Sequence, residues 1–440
     1  MALFALALVL SCTSASLSSC RSEPAGGANG PWRGTIEAED GVTTVINESG
    51  TVWDGGSRLV EVATIGTGDS AEYIFDEPGG VATDGEQIYV TDREASVVRV
   101  YDMEGRYLED LGGRGQGPGE MDAPKGIGIA ADGRILVQDN GARRIHVFNR
   151  DHEYIESWER VWTSSTWDER FTVTPDGRAY ILNNMIPTGA GTRPEDYRRA
   201  MVPWGPTGHR EGVAIDIPVL PLREDSHVGW GAGWSIGGAD VPFMPRPHWM
   251  MAKDTTLVIG LPDEYRFEIR HPDGSTTVVE RAVQPVRVQR GEFDWWKQNI
   301  VLWARQRYPS WSWNGPSAPR YKPFFDGLYL DEAGRVWVLR ELEGQAVEDC
   351  AEGSDDYWER LERPCWQQPR AFEIFSPEGR LLTTAPYFGK ISRYFLPLID
   401  GDIVLIPEED PNGNVFVRHY RWAIPEGVED GSVRQIGRDQ

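Results

Sequence analysis

Positive charge is what this chain most lacks: 44 Lys and Arg stand against 68 Asp and Glu, a formal net charge of −24. Such a field repels phosphate backbones, so nucleic acid is not an expected partner. Cysteine is scarce as well, four in 440 residues, too few for a disulfide-built scaffold. After residue 10 no apolar run approaches the roughly 18 residues that a membrane-spanning helix requires. Catalytic signatures are missing. There is no Gly-x-Ser-x-Gly elbow and no His-Glu-x-x-His pair, and the seven histidines (146, 152, 209, 227, 248, 271, 419) are scattered. The Gly-rich run 112–119 precedes no helical pattern, and Pro118 removes an N–H donor, so it is no phosphate cradle. Asp410, Asn412 and Asn414 imitate the start of a calcium loop, but Val415 and Arg421 stand where that loop needs Gly and Glu.

What is present is turn chemistry and tryptophan: 49 Gly, 30 Pro and 18 Trp, the balance of a turn-rich β protein. Ala2 to Leu10 is apolar but too short for a permanent span. Leu17-Ser18-Ser19-Cys20 follows and resembles the bacterial lipobox, which implies a signal peptide over 1–19 and a lipid on Cys20. No Lys or Arg precedes the apolar run, a departure from export signals. Val9-Leu10-Ser11-Cys12 is a second, weaker box. Residues 20–32 read as a flexible tether. Cys350 and Cys365 are then left to each other. In an exported protein they are expected to form a disulfide, contributing roughly 3 kcal/mol in the chain-entropy model.

The chain repeats itself. Gly80 to Val90 and Ile127 to Val137 each read as strand, Asp-Gly turn, strand, and Val98 to Leu108 aligns with Ile145 to Ile155. Val90 and Val137, like Tyr101 and Phe148, stand 47 positions apart. Alternating apolar residues mark half-buried strands, and Gly at the turns supplies the positive φ of tight hairpins. Further units open at Arg170, Trp249, Gly327 and Phe395. The last has three clear strands, and Leu59 to Gly66 supplies its fourth, so the chain ends close the ring and leave no long free edge.

Residues 113–149, with the link Gly113 to Glu120 and the stretch Asp139…Arg144-Ile145…Val147-Phe148, resemble NHL-repeat six-bladed β-propellers. The resemblance implies an all-β fold over residues 33–440: a single domain of six four-stranded antiparallel blades closed by the N-terminal strand, with short helical insertions. Seven blades is the competing count. The matching residues are scaffold residues, so the likeness implies little about activity.

In such a ring the turns ADGR, PDGR, MEGR, PDGS and PEGR fall on one face. Three of four long insertions, 183–211, 283–322 and 343–369, fall on the other, with 217–245 unplaced. Long loops on a rigid ring are where sites sit. Aromatic and cationic residues gather there, and Trp204, Trp230, Trp234, Trp311, Trp313 and Arg320 are the candidate ligand-binding residues. Packing of the insertions onto the ring is the alternative role for these tryptophans. Glu292 to Arg305 reads as an amphipathic helix with Phe293, Trp296, Ile300 and Trp303 on one face. His248, just ahead of an inner strand, is the histidine to inspect at the axis. The expectation is a non-catalytic binding module at the cell envelope for an extracellular glycan, peptide or envelope protein, membrane-bound only through its lipid. No cofactor is expected. The alternative is a metal-dependent propeller hydrolase or lyase, with ligands from several blades converging on the axis.

Overall fold

The computed structural model describes residues 30–68, 73–159, 170–185, 198–207, 210–221, 223–230, 237–392, 395–428, 430 and 434–435. Cys20 and the segments read as signal and tether up to residue 29 lie outside them. So do His209 and Trp234.

Six sheets form the ring. Blade 1 comprises Pro78–Thr83, Gln87–Asp92, Val97–Asp102 and Tyr107–Gly112; blade 2 comprises Pro124–Ile129, Ile135–Asp139, Arg144–Phe148 and Tyr154–Glu159. Blade 3 is built from Phe171–Val173, Ala179–Met185, Arg198–Trp204 and Ile215–Ile217, and blade 4 from His248–Met251, Leu257–Gly260, Arg266–Arg270 and Thr276–Arg281. Blade 5 holds Gly327–Leu330, Val336–Glu341, Arg370–Phe375 and Leu381–Tyr387. In blade 6, Leu398–Asp400, Ile403–Glu409 and Val415–Ile424 are completed by Arg58–Ile65. The six-blade count and the closing strand are those the repeats predict. Tight turns join first to second strands in every blade and third to fourth strands in blades 1, 2, 4 and 5, with Gly133 at φ 85° and Gly379 at φ 87°, a region that favours glycine. The core lies between blades, where alternate side chains of facing sheets meet. Trp158, Ile181 and Val202 share one such layer, Phe267, Val338 and Phe375 another, and Trp337, Phe372 and Trp422 a third.

The N-terminal segment does more than close the ring. Arg33–Glu39 and Val42–Ser49 form a hairpin that extends blade 4, Val42–Ser49 running parallel to Thr276–Arg281. The chain then crosses the outer strand of blade 5, where Val52 N–H donates to Leu381 O and Ser57 N–H to Thr384 O, both at 2.9 Å. Only then does it enter blade 6, so one strap binds three blades. Asn47 fastens it. Its side chain is 1% exposed, donates to Glu280 O (3.2 Å) and Gly379 O (3.0 Å), and accepts from Trp32 Nε1 and Leu381 N–H, both at 2.8 Å.

Helix α1 (Arg290–Arg307) is longer than the expected 292–305 and is buried on two sides. Phe293 and Ala304 pack with Trp230. Trp295 packs against Ala351 and Cys365 of the 343–369 insertion. Trp303 is 41% exposed, so the single apolar face read from the periodicity is only part of the contact. The second insertion, absent from any local pattern, covers the rest. That insertion carries α2 (Tyr357–Glu362), the Cys350–Cys365 disulfide and Arg360, whose guanidinium lies 3.6 Å from the Trp295 ring centroid and donates to Asn299 Oδ1 at 2.6 Å. Replacing both cysteines by Ser is expected to lower the opening free energy of this segment by about 3 kcal/mol. Hydrogen exchange should show faster amides within 346–367 and unchanged blades, because Arg360 and the disulfide tie the insertion and not the ring.

Candidate functional site

All four insertions leave the ring on one face, where the innermost strands begin. Residues 218–247, unplaced from sequence, link the outer strand of blade 3 to the inner strand of blade 4 and therefore join the other three. The segment 183–211 is mostly strand. Only 186–197 separates Met185 from Arg198, and Trp204 ends a blade strand paired to Ala179. Trp204 thus sits at the opposite, short-turn end, buried with Trp158 and Val173.

Trp230, Trp311 and Trp313 are brought together on the insertion face. Trp230 meets Trp303 and Trp311 edge-on at 5.0 and 5.3 Å, and Trp313 meets Phe293 at 6.1 Å. Their indoles are occupied within the insertions, Trp311 Nε1 donating to Gly229 O (3.2 Å) and Trp313 Nε1 to Pro316 O (3.1 Å). Arg320 is exposed, its guanidinium 5.1 Å from the Tyr321 ring centroid. These residues form a wall. Aromatic rings packed edge to face, with N–H groups donating to nearby carbonyls, build a small core.

Next to the wall, where the inner strands of blades 4 and 5 begin, charged residues cluster. Lys322, fully buried, sits 2.6 Å from Glu292 Oε1 and 3.8 Å from Glu341 Oε2, and donates to Leu342 O at 3.0 Å. Arg370 donates to Glu341 Oε1 (3.2 Å) and Gly389 O (3.1 Å), and Arg246 pairs with Asp240. Asp326 completes the group. Its N–H is held by Leu339 O at 2.7 Å, but among the described residues its carboxylate makes no hydrogen bond or ion pair. The side chain is open to solvent, yet protein around it desolvates the charge and pushes its pKa up, against the pull of Arg370, Arg246 and Lys322. Burial likewise raises the Glu341 carboxyl, and the charge of Asp326 raises it further.

His248 opens the inner strand of blade 4, its ring 5.9 Å from that of Phe325, next to Asp326. Its imidazole makes no hydrogen bond among the described residues. Burial, then Arg170 and Arg246, push its pKa down to about 3, so it stays neutral and offers one donor and one acceptor. Phe388 is 85% exposed, one residue from the Gly389 carbonyl that Arg370 holds. The sequence singled out His248 but not Asp326. An acidic residue directly before an inner strand was the available signal, and of the three cations around it Arg246 and Arg370 come from distant parts of the chain. Among the described residues, no group of three or more His, Cys, Asp or Glu could hold a metal ion.

Comparison with known proteins bears on the scaffold. Residues 56–166 match a family model described as 6-bladed beta-propeller. The chain is a six-bladed β-propeller. NHL repeat-containing protein 3 of the mouse (Mus musculus) is 23% identical over 158 residues, 35% of this chain and 42% of its own length. The chain therefore spans less than half of that relative. Among solved structures, a member of the DUF4221 family from Bacteroides vulgatus is 11% identical, covering 84% of this chain and 99% of that one at a TM-score of 0.47. Virginiamycin B lyase from Staphylococcus aureus is 10% identical, covering 82% and 99% at a TM-score of 0.36. None of these likenesses assigns chemistry to this propeller.

Proposed function

We propose that this propeller is a binding module that holds a polar ligand at the charged cluster of its insertion-bearing face, with a lipid on Cys20 keeping it at the cell envelope. The unpartnered Asp326 carboxylate carries the reading. Arg246, Lys322 and Arg370 near it each already have a carboxylate of their own, so Asp326 is the acceptor left over. Neutral His248 adds a second polar group, and Phe388 offers an exposed ring adjacent in sequence to the Gly389 carbonyl that Arg370 holds. That set suits a ligand rich in hydroxyl or amine donors with a flat face, as an extracellular glycan or a peptide carries.

Asp326→Asn tests it, with glycan and peptide arrays as the source of ligand. The wild-type protein is expected to capture a donor-rich ligand, and the variant to lose at least tenfold in affinity. Stability should move the other way. A carboxyl whose folded pKa is raised destabilises the fold as pH rises through that pKa, so the amide should melt at an equal or higher temperature at pH 8. A variant that melts lower, or binds as well as wild type, would make Asp326 a structural residue and remove the basis of the proposal.

A further inference from the structure

The ring axis holds a cavity of about 610 Å³, lined by the inner strands of all six blades and within the volume range of small-molecule sites. Ile127, Val173, Met250, Leu330 and Leu396 are among its walls, one from each of blades 2 to 5 and one from the link into blade 6. The cavity shares no residue with the cluster around Asp326 and is independent of it.

The charges in this cavity are already taken up within the protein. Among the described residues five charged side chains line it, two cations and three carboxylates. At the end where the inner strands begin, the Arg170 guanidinium stacks over Trp249, 4.2 Å from the ring centroid, and donates to Trp249 O. At the short-turn end Lys253 pairs with Glu332. Asp331 is held there by Arg335 at 2.5 Å and by Trp337 Nε1 at 3.1 Å, and Asp254 accepts from the Thr256 N–H and hydroxyl at 2.9 Å each. The two lining threonines are engaged as well, Thr83 Oγ1 donating to Gln87 O (2.6 Å) and Thr172 Oγ1 to Met251 O (3.4 Å). What the walls offer a guest is therefore apolar side chains and the backbone of the inner strands.

We infer that the axial cavity binds one uncharged, largely apolar small molecule, selected by shape and by the absence of a charge. An ion entering the cavity leaves its water and meets charges that already have partners, a desolvation cost with no counter-charge in return. An uncharged guest gives up little hydration and removes apolar surface from water, its own and that of the walls. Met201 and Met251 line the cavity too, and unbranched, polarizable side chains adapt to the outline of a guest.

Fluorescence titration of the purified protein at pH 8 with N-phenyl-1-naphthylamine, which is uncharged at that pH and brightens in apolar surroundings, tests the inference. The probe is expected to saturate at one per chain. Octanol should displace it, and octylammonium and octanoate, equal in chain length and opposite in charge, should each compete at least tenfold more weakly. Leu396→Trp and Ile129→Trp, each placing an indole in the cavity, should abolish probe binding in whichever variant keeps the native circular dichroism and melting profile. Unsaturable binding, no binding, or displacement by either ion as readily as by octanol would each overturn the inference. Full affinity in a folded cavity-filled variant would do the same.

Discussion

Asn47→Ala is expected to cost about 3–4 kcal/mol of unfolding free energy, read by urea denaturation against wild type. The side chain is almost fully buried and bonds four groups in three segments: the Trp32 indole, the Leu381 amide, and the carbonyls of Glu280 and Gly379. Alanine strands all four. A buried polar group left without a partner costs about 1–3 kcal/mol, and the four share one environment, so the sum falls below a simple total. Asn47→Asp is expected to be as severe, since a carboxylate cannot donate to the two carbonyls. A loss below about 1 kcal/mol would mean that water replaces the side chain and that the strap is held by its backbone ladder alone.

Glu373→Ala should produce a loss of similar size from a different cause. Glu373, buried in blade 5, lies 2.9 Å from Arg281 Nε of blade 4 and 2.8 Å from Arg340 Nη1, and it accepts from the Tyr265 hydroxyl. Two guanidiniums, both nearly buried, rest on one carboxylate. Removing one partner of a buried pair costs about 3–5 kcal/mol because the other charge stays unpaired. Burial alone would raise the Glu373 pKa, but Arg281 and Arg340 outweigh it and hold it below the ordinary glutamate value. A folded pKa below the unfolded one stabilises the protein at neutral pH, and that stability is lost as pH falls through the folded pKa. The wild type should therefore lose stability steadily below about pH 4.5, the unfolded reference, and Glu373→Gln should show a shallower slope there. Parallel slopes would show that Glu373 does not govern acid unfolding.

The ring was legible because each blade repeats its own local code. Alternation in Val98 to Leu108 and Asp-Gly at 132–133 specify strand and turn within a dozen residues. The Leu59 to Gly66 strand could be placed because blade 6 visibly lacked one. The hairpin Arg33–Ser49 also carries alternation about Asp40-Gly41, but nothing local says that it lies on blade 4, some 230 residues on; that is decided by Asn47 and the edge of Thr276–Arg281. The face bearing the insertions was readable from strand parity, and the site on it was not. Tryptophan count pointed to Trp230, Trp311 and Trp313, which the structure places in an aromatic wall. Asp326 gains meaning only from Lys322, Arg246 and Arg370, which the fold brings to it from both flanks.

The strap also fixes an order of events in time. Glu61 meets Arg418 across 357 positions, so the pairing that completes blade 6 closes nearly the whole chain into a loop. Such contacts repay their entropy last. Blades 1 to 5 can stack as each is made, and the hairpin can dock once Thr276–Arg281 and Leu381–Tyr387 exist. The strand Val415–Ile424 waits for the N-terminal strand with its edge open. Refolding should accordingly end in a slow phase during which that edge is available to other chains, and dilution should favour closure over aggregation.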